Sequence, residues 1–334
     1  MRKISLQTIE ELDINAVAKA REDVNQIVDE LGYHPTTFGS RSPIGFARVL
    51  KRYYDIFSLK FLLRKGDEVF FQFPWIHNNK PAFYRNLFAS GARVSCVIHD
   101  LDSLRETRFS VSEEIEVLKR CHRVIAHTPA MKEFLEERGV KRERIEILRL
   151  FDYLTDVPYG HIPETSQLLT IVFAGNFEKS AFVKELFQLT GSELCFNLYG
   201  KSLPGIGNVE KNIVYKGAFL PDEVHLLEGN WGLVWDGPSL NTCSGVFGEY
   251  LRYNASHKNS LYLAAGIPLI VWKESAVAEY IVANHLGIAV KSLFELKDRL
   301  AEISSEAYNE LLASVQLYAQ RLRKGENLKV VLER

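Results

Sequence analysis

The chain has 334 residues and a formal net charge of -1, from 41 basic and 42 acidic side chains. That length exceeds what one hydrophobic core usually serves, so two domains are expected. The near-neutral balance argues against a nucleic-acid binder, which would carry a basic excess. Hydrophobic residues make up 46% and charged residues 25%, an ordinary globular mixture. Cys96, Cys121, Cys195 and Cys243 lie far apart and form no CxxC pair, which speaks for reduced thiols in the cytoplasm over a zinc site or a disulfide framework. Glu10, Glu11 and Asp13 interrupt any apolar signal-peptide region, and the longest apolar run, Leu261 to Trp272, contains Gly266 and Pro268 and is too short to span a bilayer.

In chain order, ISLQTI (4–9) reads as a short strand. A helix follows from Asp13 to Leu31, with Val17, Val24, Ile27, Val28 and Leu31 on one face and Gly32 to end it. A second helix, roughly Pro43 to Leu63, precedes the strand EVFFQF (68–73). Helices at 81–90, 111–120 and 129–138 alternate with the strands ARVSCVIHD (92–100), RVIAHT (123–128) and RIEIL (144–148). The stretch DVPYGHIPETS (156–166) has no periodicity and reads as an interdomain linker. The alternation then restarts with strands LLTIVFAG (168–175), ELCFNLYG (193–200), NIVYKG (212–217), WGLVWDG (231–237) and IPLIVW (267–272), and the chain closes with a helix from about Ser305 to Arg323. Continuous apolar strands between amphipathic helices predict parallel sheets covered on both faces.

The expected class is therefore α/β, with two Rossmann-like doubly wound domains facing a central cleft, the GT-B layout. The expected boundaries are 1–157 for an acceptor-side domain and 158–304 for a nucleotide-sugar-binding domain, with a C-terminal helix in 305–334 that could cross back to the first. Fold alone does not assign function. No GxGxxG follows any predicted strand, which removes a dinucleotide dehydrogenase.

The segment from Trp231 to Trp272 offers a strand, a long Gly/Ser/Asn loop, a short helix and a second strand. Ser256 can cap that helix and Gly266 can end it. Its free N–H groups and its dipole make an anion site. Lys258 sits in the first turn, where a cation opposes the dipole; a docked diphosphate would account for it, and so would simple solvation. In FAGNFEKSAF (173–182), Asn176 and Lys179 lie between a strand end and a helix. Fixed cations there would stabilise the charge that grows on a departing nucleoside diphosphate. Tyr199, Lys201 and Tyr215 line the same predicted rim, where an aromatic could stack on a base or belong to the core. Asp236 and Ser239 open the long loop and could reach a ribose or sugar hydroxyls.

LYLAAGIP (261–268), after the loop bearing Tyr253 and Asn254, resembles the end of the donor-binding segment of retaining GT-B glycosyltransferases. The two glutamates that those enzymes space by seven residues would fall at Tyr253 and Leu261. That departure, and the match over 173–179 and 253–268, is similar to the glucosyltransferase-3-like family. The family includes the second-step glucosyltransferase of streptococcal serine-rich adhesin glycosylation, with relatives in capsular and O-antigen synthesis. The resemblance implies hexose transfer from a UDP-sugar of glucose or galactose type to a glycan, glycopeptide or lipid-linked glycan. It also implies no metal or other cofactor, and a homo-oligomer. Tyr253, Asn254, Ser256 and Lys258 would then serve the donor.

In the N-terminal half, His99 and Asp100 end the strand 92–100 and are the candidate catalytic pair. Thr8 and Asn15 flank a predicted phosphate-side loop, and His77 closes an acceptor-side loop. His127 and Thr128 read as structural. Between Arg41 and Lys65 there are seven basic residues and one acid, Asp55, interleaved with Phe46, Tyr53, Tyr54, Phe57 and Phe61. Two readings stand: a helix that lies on the inner face of an anionic membrane, or one that packs its aromatics on the sheet. The rival functions are a nucleotide-sugar 2-epimerase and a non-catalytic partner subunit of another transferase.

Overall fold

The computed structural model describes residues 1–9, 16–39, 45–76, 80–105, 110–160, 169–201 and 212–334. It divides into two units, Met1–Leu148 with Leu328–Arg334, and Arg149–Asn327. The division precedes the stretch 156–166, of which 161–166 lies outside the described residues. The physical reason is that Leu150 and Tyr153 are buried in the core of the second unit. The Ser260 hydroxyl also donates to the Phe151 carbonyl at 2.7 Å.

The first unit is a parallel sheet of β1 (Lys3–Thr8), β2 (His34–Phe38), β3 (Glu68–Phe73), β4 (Arg93–Ile98), β5 (Arg123–Ala126) and β6 (Ile145–Ile147), in the order β2-β1-β3-β4-β5-β6. Phe70, Phe71, Phe73, Cys96, Val97 and Ile98 are fully buried, because strands in the middle of this sheet are covered on both faces. The helices Ala16–Glu30, Gly45–Leu62, Lys80–Ala89, Val111–Arg120 and Pro129–Glu137 fall within a few residues of the expected ones. β2 was not expected. Its sequence HPTTF carries Pro35 and no clear alternation. It forms an edge strand, where a residue without an N–H is tolerated.

The second unit contains β7 (Thr170–Ala174), β8 (Cys195–Tyr199), β9 (Ile213–Gly217), β10 (Trp231–Val234), β11 (Leu269–Trp272) and β12 (Gly287–Val290), ordered β12-β11-β10-β7-β8-β9. Renumbered within the unit and read from the other edge, this is the 3-2-1-4-5-6 order of the Rossmann fold. β12, also unexpected, is the other kind of short edge strand: four residues after the left-handed His285 (φ 53°). The predicted C-terminal helix is Ser305–Leu322, with Tyr308, Val315, Tyr318 and Leu322 buried in the second unit. Gly325 (φ 77°) then turns the chain into a separate helix, Glu326–Leu332. Its end joins the first unit, where Lys329 pairs with Glu30 at 2.6 Å and Arg123 donates to the Leu332 carbonyl.

The Leu261–Pro268 signature has a packing explanation. Tyr262 is fully buried, and its ring lies over Gly232, where an added Cβ would sit 2.3 Å from the ring. Its hydroxyl accepts from the Ala174 N–H at 2.8 Å. The helix His257–Ala264 is thereby fixed across β7 and β10. Gly266 (φ 79°) ends it: its N–H donates to the Leu263 carbonyl and that of Ile267 to the Tyr262 carbonyl, the paired bonds of a Schellman turn.

Candidate functional site

In doubly wound sheets, ligands bind at the carboxyl ends of the strands where the order reverses. In the second unit that point lies between β7 and β10. Three side chains meet there. The Lys258 ammonium donates to both carboxylate oxygens of Asp236, each at 2.8 Å. The fully buried Ser180 donates its hydroxyl to the same carboxylate at 2.7 Å. Lys258 and Asp236 are about one-sixth exposed, at 16% and 15%, so their charges act on each other through little water and still face solvent. The Lys258 ammonium also sits 5.3 Å from the centre of the Phe173 ring, a desolvated cation–π contact.

The local sequence makes room for this arrangement. A Cβ on Gly175 would lie 3.0 Å from Cε of Lys258, so the glycine lets the lysine stem pass. Gly237 (φ 100°) turns the chain after Asp236 against the Ser244 backbone, where no L side chain would fit. Ser256 caps the helix His257–Ala264 by accepting from the Lys258 N–H. The cation in the first turn, unfavourable to the helix dipole, thus has a protein partner in Asp236. Solvation is not its explanation.

The other residues expected to bind donor take different positions. The Asn176 side chain accepts from the Glu178 N–H at 2.8 Å and shapes the turn after β7. Lys179 is exposed and reaches over the Phe247 ring at 5.1 Å. Lys201 is exposed at the end of β8. Tyr215 is 40% exposed and donates its hydroxyl to the Gly200 carbonyl at 2.8 Å, with an edge contact to Phe177. Tyr253 and Asn254 are half-buried, and the Asn254 side-chain oxygen is buried without a hydrogen-bond partner. Tyr199 is a correction. As the last residue of β8 it points into the core, its hydroxyl donating to the Leu226 carbonyl and accepting from the Glu228 N–H. Burial pushes that phenol up to about 12. Ser239 accepts from the Asn241 N–H, within its own loop.

In the first unit, His99 follows β4 and is 9% exposed. Its Nε2 lies 2.6 Å from the side-chain oxygen of Gln72. The Gln72 amide nitrogen donates to the Arg21 carbonyl and meets the Asn25 side-chain oxygen at 2.6 Å. A carbonyl can only accept, so the amide orientation is set, and the His99 Nε2 carries a proton toward Gln72. That nitrogen is therefore not a ready base. Asp100 forms an ion pair with Arg105. Thr8 is half-buried at the end of β1, whereas Asn15 and His77 lie outside the described residues. His127 is fully buried, within hydrogen-bonding reach of the Ile98 carbonyl at 2.6 Å, and burial pushes its pKa down to about 4. Thr128 caps the helix Pro129–Glu137.

Sequence reasoning missed Ser180, Gln72 and Arg105. Ser180 alone carried a signal, a polar residue just past Lys179 that opens the next helical run. Among the described residues, no group of three His, Cys, Asp or Glu side chains is placed to hold a metal ion. No described helix is long and apolar enough to cross a membrane. The cysteines are free, and Cys96 and Cys121 approach only to 3.8 Å between sulfurs.

The chain is 32% identical over 282 residues to the β-1,6-galactofuranosyltransferase WbbI of Escherichia coli K12, covering 81% of this chain and 79% of that protein. It is 28% identical over 334 residues to Glucosyltransferase 3 of Streptococcus gordonii, covering 94% and 92%. In fold it is similar to Anabaena HepE, solved with UDP and glucose, at a TM-score of 0.58 and 10% identity over 99% of this chain and 98% of that one. Residues 5–150 match the N-terminal domain of the glucosyltransferase 3-like family and residues 171–334 its C-terminal domain. The chain belongs to the glucosyltransferase 3-like family of GT-B glycosyltransferases.

Proposed function

We propose that this enzyme transfers a hexose of glucose or galactose type from UDP to a glycan acceptor in bacterial surface glycoprotein or polysaccharide synthesis. The observation that carries the reading is the Lys258 ammonium, held by Asp236, which Ser180 in turn holds, at the switch point of a 3-2-1-4-5-6 sheet and beside a helix N-terminus. The names of the two relatives, a galactofuranosyltransferase and a glucosyltransferase, support a hexose as the group transferred.

A diphosphate at the first turn of His257–Ala264 would share Lys258 with Asp236 and take up helix N–H groups. Negative charge grows on the diphosphate as the glycosidic bond breaks. A preorganised cation and amide dipoles lower that barrier without reorganising. Lys179 supplies a second, exposed cation, and no metal is required for diphosphate binding. In a retaining front-face reaction the leaving phosphate would take the acceptor proton, so that no protein base is needed. Should the product be inverted, His99 or Asp100 becomes the candidate base.

The enzyme would work in the cytoplasm as a homo-oligomer. A lipid-linked acceptor would bring it to the inner face of the membrane. The test compares thermal shifts with UDP, GDP, ADP and CMP in EDTA, for wild type and Lys258→Ala. A ligand at a hundred times its Kd adds about 2.7 kcal/mol of stability. The reading expects a shift for UDP alone, lost in the variant; no shift with any nucleotide would sink it. Turnover of a UDP-sugar without acceptor would favour a 2-epimerase, and NMR of the product anomer decides between retention and inversion.

A further inference from the structure

The helix Gly45–Leu62 has two apolar faces. One is spent on the fold: Ile56 and Leu59, with Leu63 just beyond, are buried, and the Ile56 carbonyl accepts from the Asn86 side chain at 2.8 Å. The other is not. Phe46, Leu50, Tyr53, Tyr54, Phe57 and Phe61 stand between 53% and 72% exposed. At 3.6 residues per turn these six fall within an arc of about 100°. With Val49, this one helix holds seven of the nineteen exposed large hydrophobics among the described residues. The other twelve are scattered along the rest of the chain, which is ordinary for a soluble surface; a concentration of this kind is not. The expectation that these aromatics pack on the sheet is overturned: the sheet-facing positions are taken by aliphatic residues instead.

Charge identifies what the face fits. Lys51 and Lys60 flank the stripe on its two sides, and Arg64 and Lys65, exposed just past the helix, add positive charge; Arg48 and Arg52 lie on the inward side with Leu59 and Ile56. Lys60 reaches back over the Phe57 ring at 3.7 Å and the Phe61 ring at 4.9 Å, so its cation sits at the level of the aromatic surface. The one acid of the helix, Asp55, is 6% exposed. It accepts from the Gly39 N–H and pairs with Lys51, so it faces inward and leaves the outer face without negative charge. An aromatic stripe edged by cations is the pattern of a helix that lies in the plane of an anionic lipid surface. A second copy of the chain fits less well, because a two-fold contact through this stripe would set the same cations against each other.

We propose that the outer face of Gly45–Leu62 docks the enzyme on an anionic phospholipid bilayer, with Phe46, Tyr54, Phe57 and Phe61 entering the headgroup boundary and Lys60 meeting lipid phosphate. This gives the proposed transfer reaction its location and rests on that reading only for its benefit. Vesicle binding is measured without donor or acceptor, so the two ideas fail separately.

The full-length protein is sedimented with vesicles of phosphatidylcholine alone and of phosphatidylcholine mixed with phosphatidylglycerol, at low and at physiological salt. Two outer-face variants, Lys60→Glu and Phe57→Ser/Phe61→Ser, are run beside it. Unchanged thermal unfolding and nucleotide response certify their fold. Binding is expected to the mixed vesicles only and to weaken with salt. It should fall about fivefold or more in Lys60→Glu and at least about tenfold in the double serine variant. No sedimentation of wild type with anionic vesicles overturns the proposal. So does binding that neither variant changes. Light scattering that shows a dimer lost in the serine variant would assign the face to a second copy instead.

Discussion

The two units carry parallel sheets of the same kind, and each brings polar side chains to its strand ends in a different form. In the second unit a charged group is held fixed: Lys258 and Ser180 both close on the Asp236 carboxylate, at 2.8 and 2.7 Å, at the switch point. In the first unit the corresponding strand ends hold histidines whose protons are committed to neutral partners, His99 to Gln72 and His127 to the Ile98 carbonyl. The first arrangement is an ion pair and the second a set of neutral hydrogen bonds. If that difference is one of task, electrostatic in one unit and hydrogen-bonding in the other, the variants below separate the two.

The largest effect is expected at Lys258. Lys258→Ala should lower kcat/KM by about 10²–10³-fold, as loss of one fixed stabiliser of developing charge does, and should also destabilise the fold by leaving Asp236 unpaired. Adding Asp236→Asn should restore stability, read by denaturant unfolding, without restoring turnover. If the double variant regains activity, the lysine serves only to neutralise Asp236, and the contrast between the units disappears.

His127 should set an acid limit on the stability of the first unit. Its pKa is about 4 in the fold against an ordinary 6.5. The unfolded chain therefore binds the extra proton between those values. The stability from keeping His127 neutral is complete above pH 6.5 and is lost as the pH falls toward 4, by about 3 kcal/mol in total. Urea unfolding across that window for wild type and His127→Gln should show the difference; parallel pH profiles would mean that the buried imidazole carries no such linkage.

A somewhat smaller effect is expected at His99. His99→Ala should reduce kcat by about 10²-fold if the imidazole takes part in proton handling or orientation of the acceptor. An unchanged kcat with lower stability would make the His99–Gln72 pair a structural strut and leave the first unit without a polar role at this strand end. The smallest is Tyr199→Phe, which removes a hydroxyl bonded to Leu226 and Glu228. It should cost about 1 kcal/mol of stability and leave steady-state kinetics with a UDP-sugar untouched; a change in KM for donor would return Tyr199 to the site.

Much of the fold was legible before any coordinates. β3, β4, β7 and β10 are short apolar runs because their residues are buried on both sides, and that requirement is written residue by residue. The helices between them show their buried faces by 3.6-residue spacing. Two of the four edge strands were not legible: β2 has Pro35 and an exposed side, and β12 is four residues long, so neither needed the composition of a buried strand. The end of the first unit was placed later for a related reason. The stretch 156–166 reads as linker by its lack of period, yet the second unit begins at Arg149, and Leu150, Phe151 and Tyr153 are already buried there.

The site divides in the same way. Lys258, Asp236, Lys179 and Asn176 could be named from their places beside strand ends and a helix start, since those backbone features are local. The aromatic face of Gly45–Leu62 was visible as a pattern, but its direction was not, because a helix with apolar residues on two sides can turn either one inward. The sequence by itself determined the alternation of strands and helices, the doubled architecture and the family signature around Tyr262 and Gly266. Each depends on periodicity or on a turn that one short segment specifies. Only the tertiary structure decided that Lys258 and Ser180 close on Asp236, that His99 turns its proton to Gln72, and that Tyr199 serves the core. Those pairings join residues 22 to 56 positions apart, and they follow from strand order and side-chain direction, which no local pattern encodes.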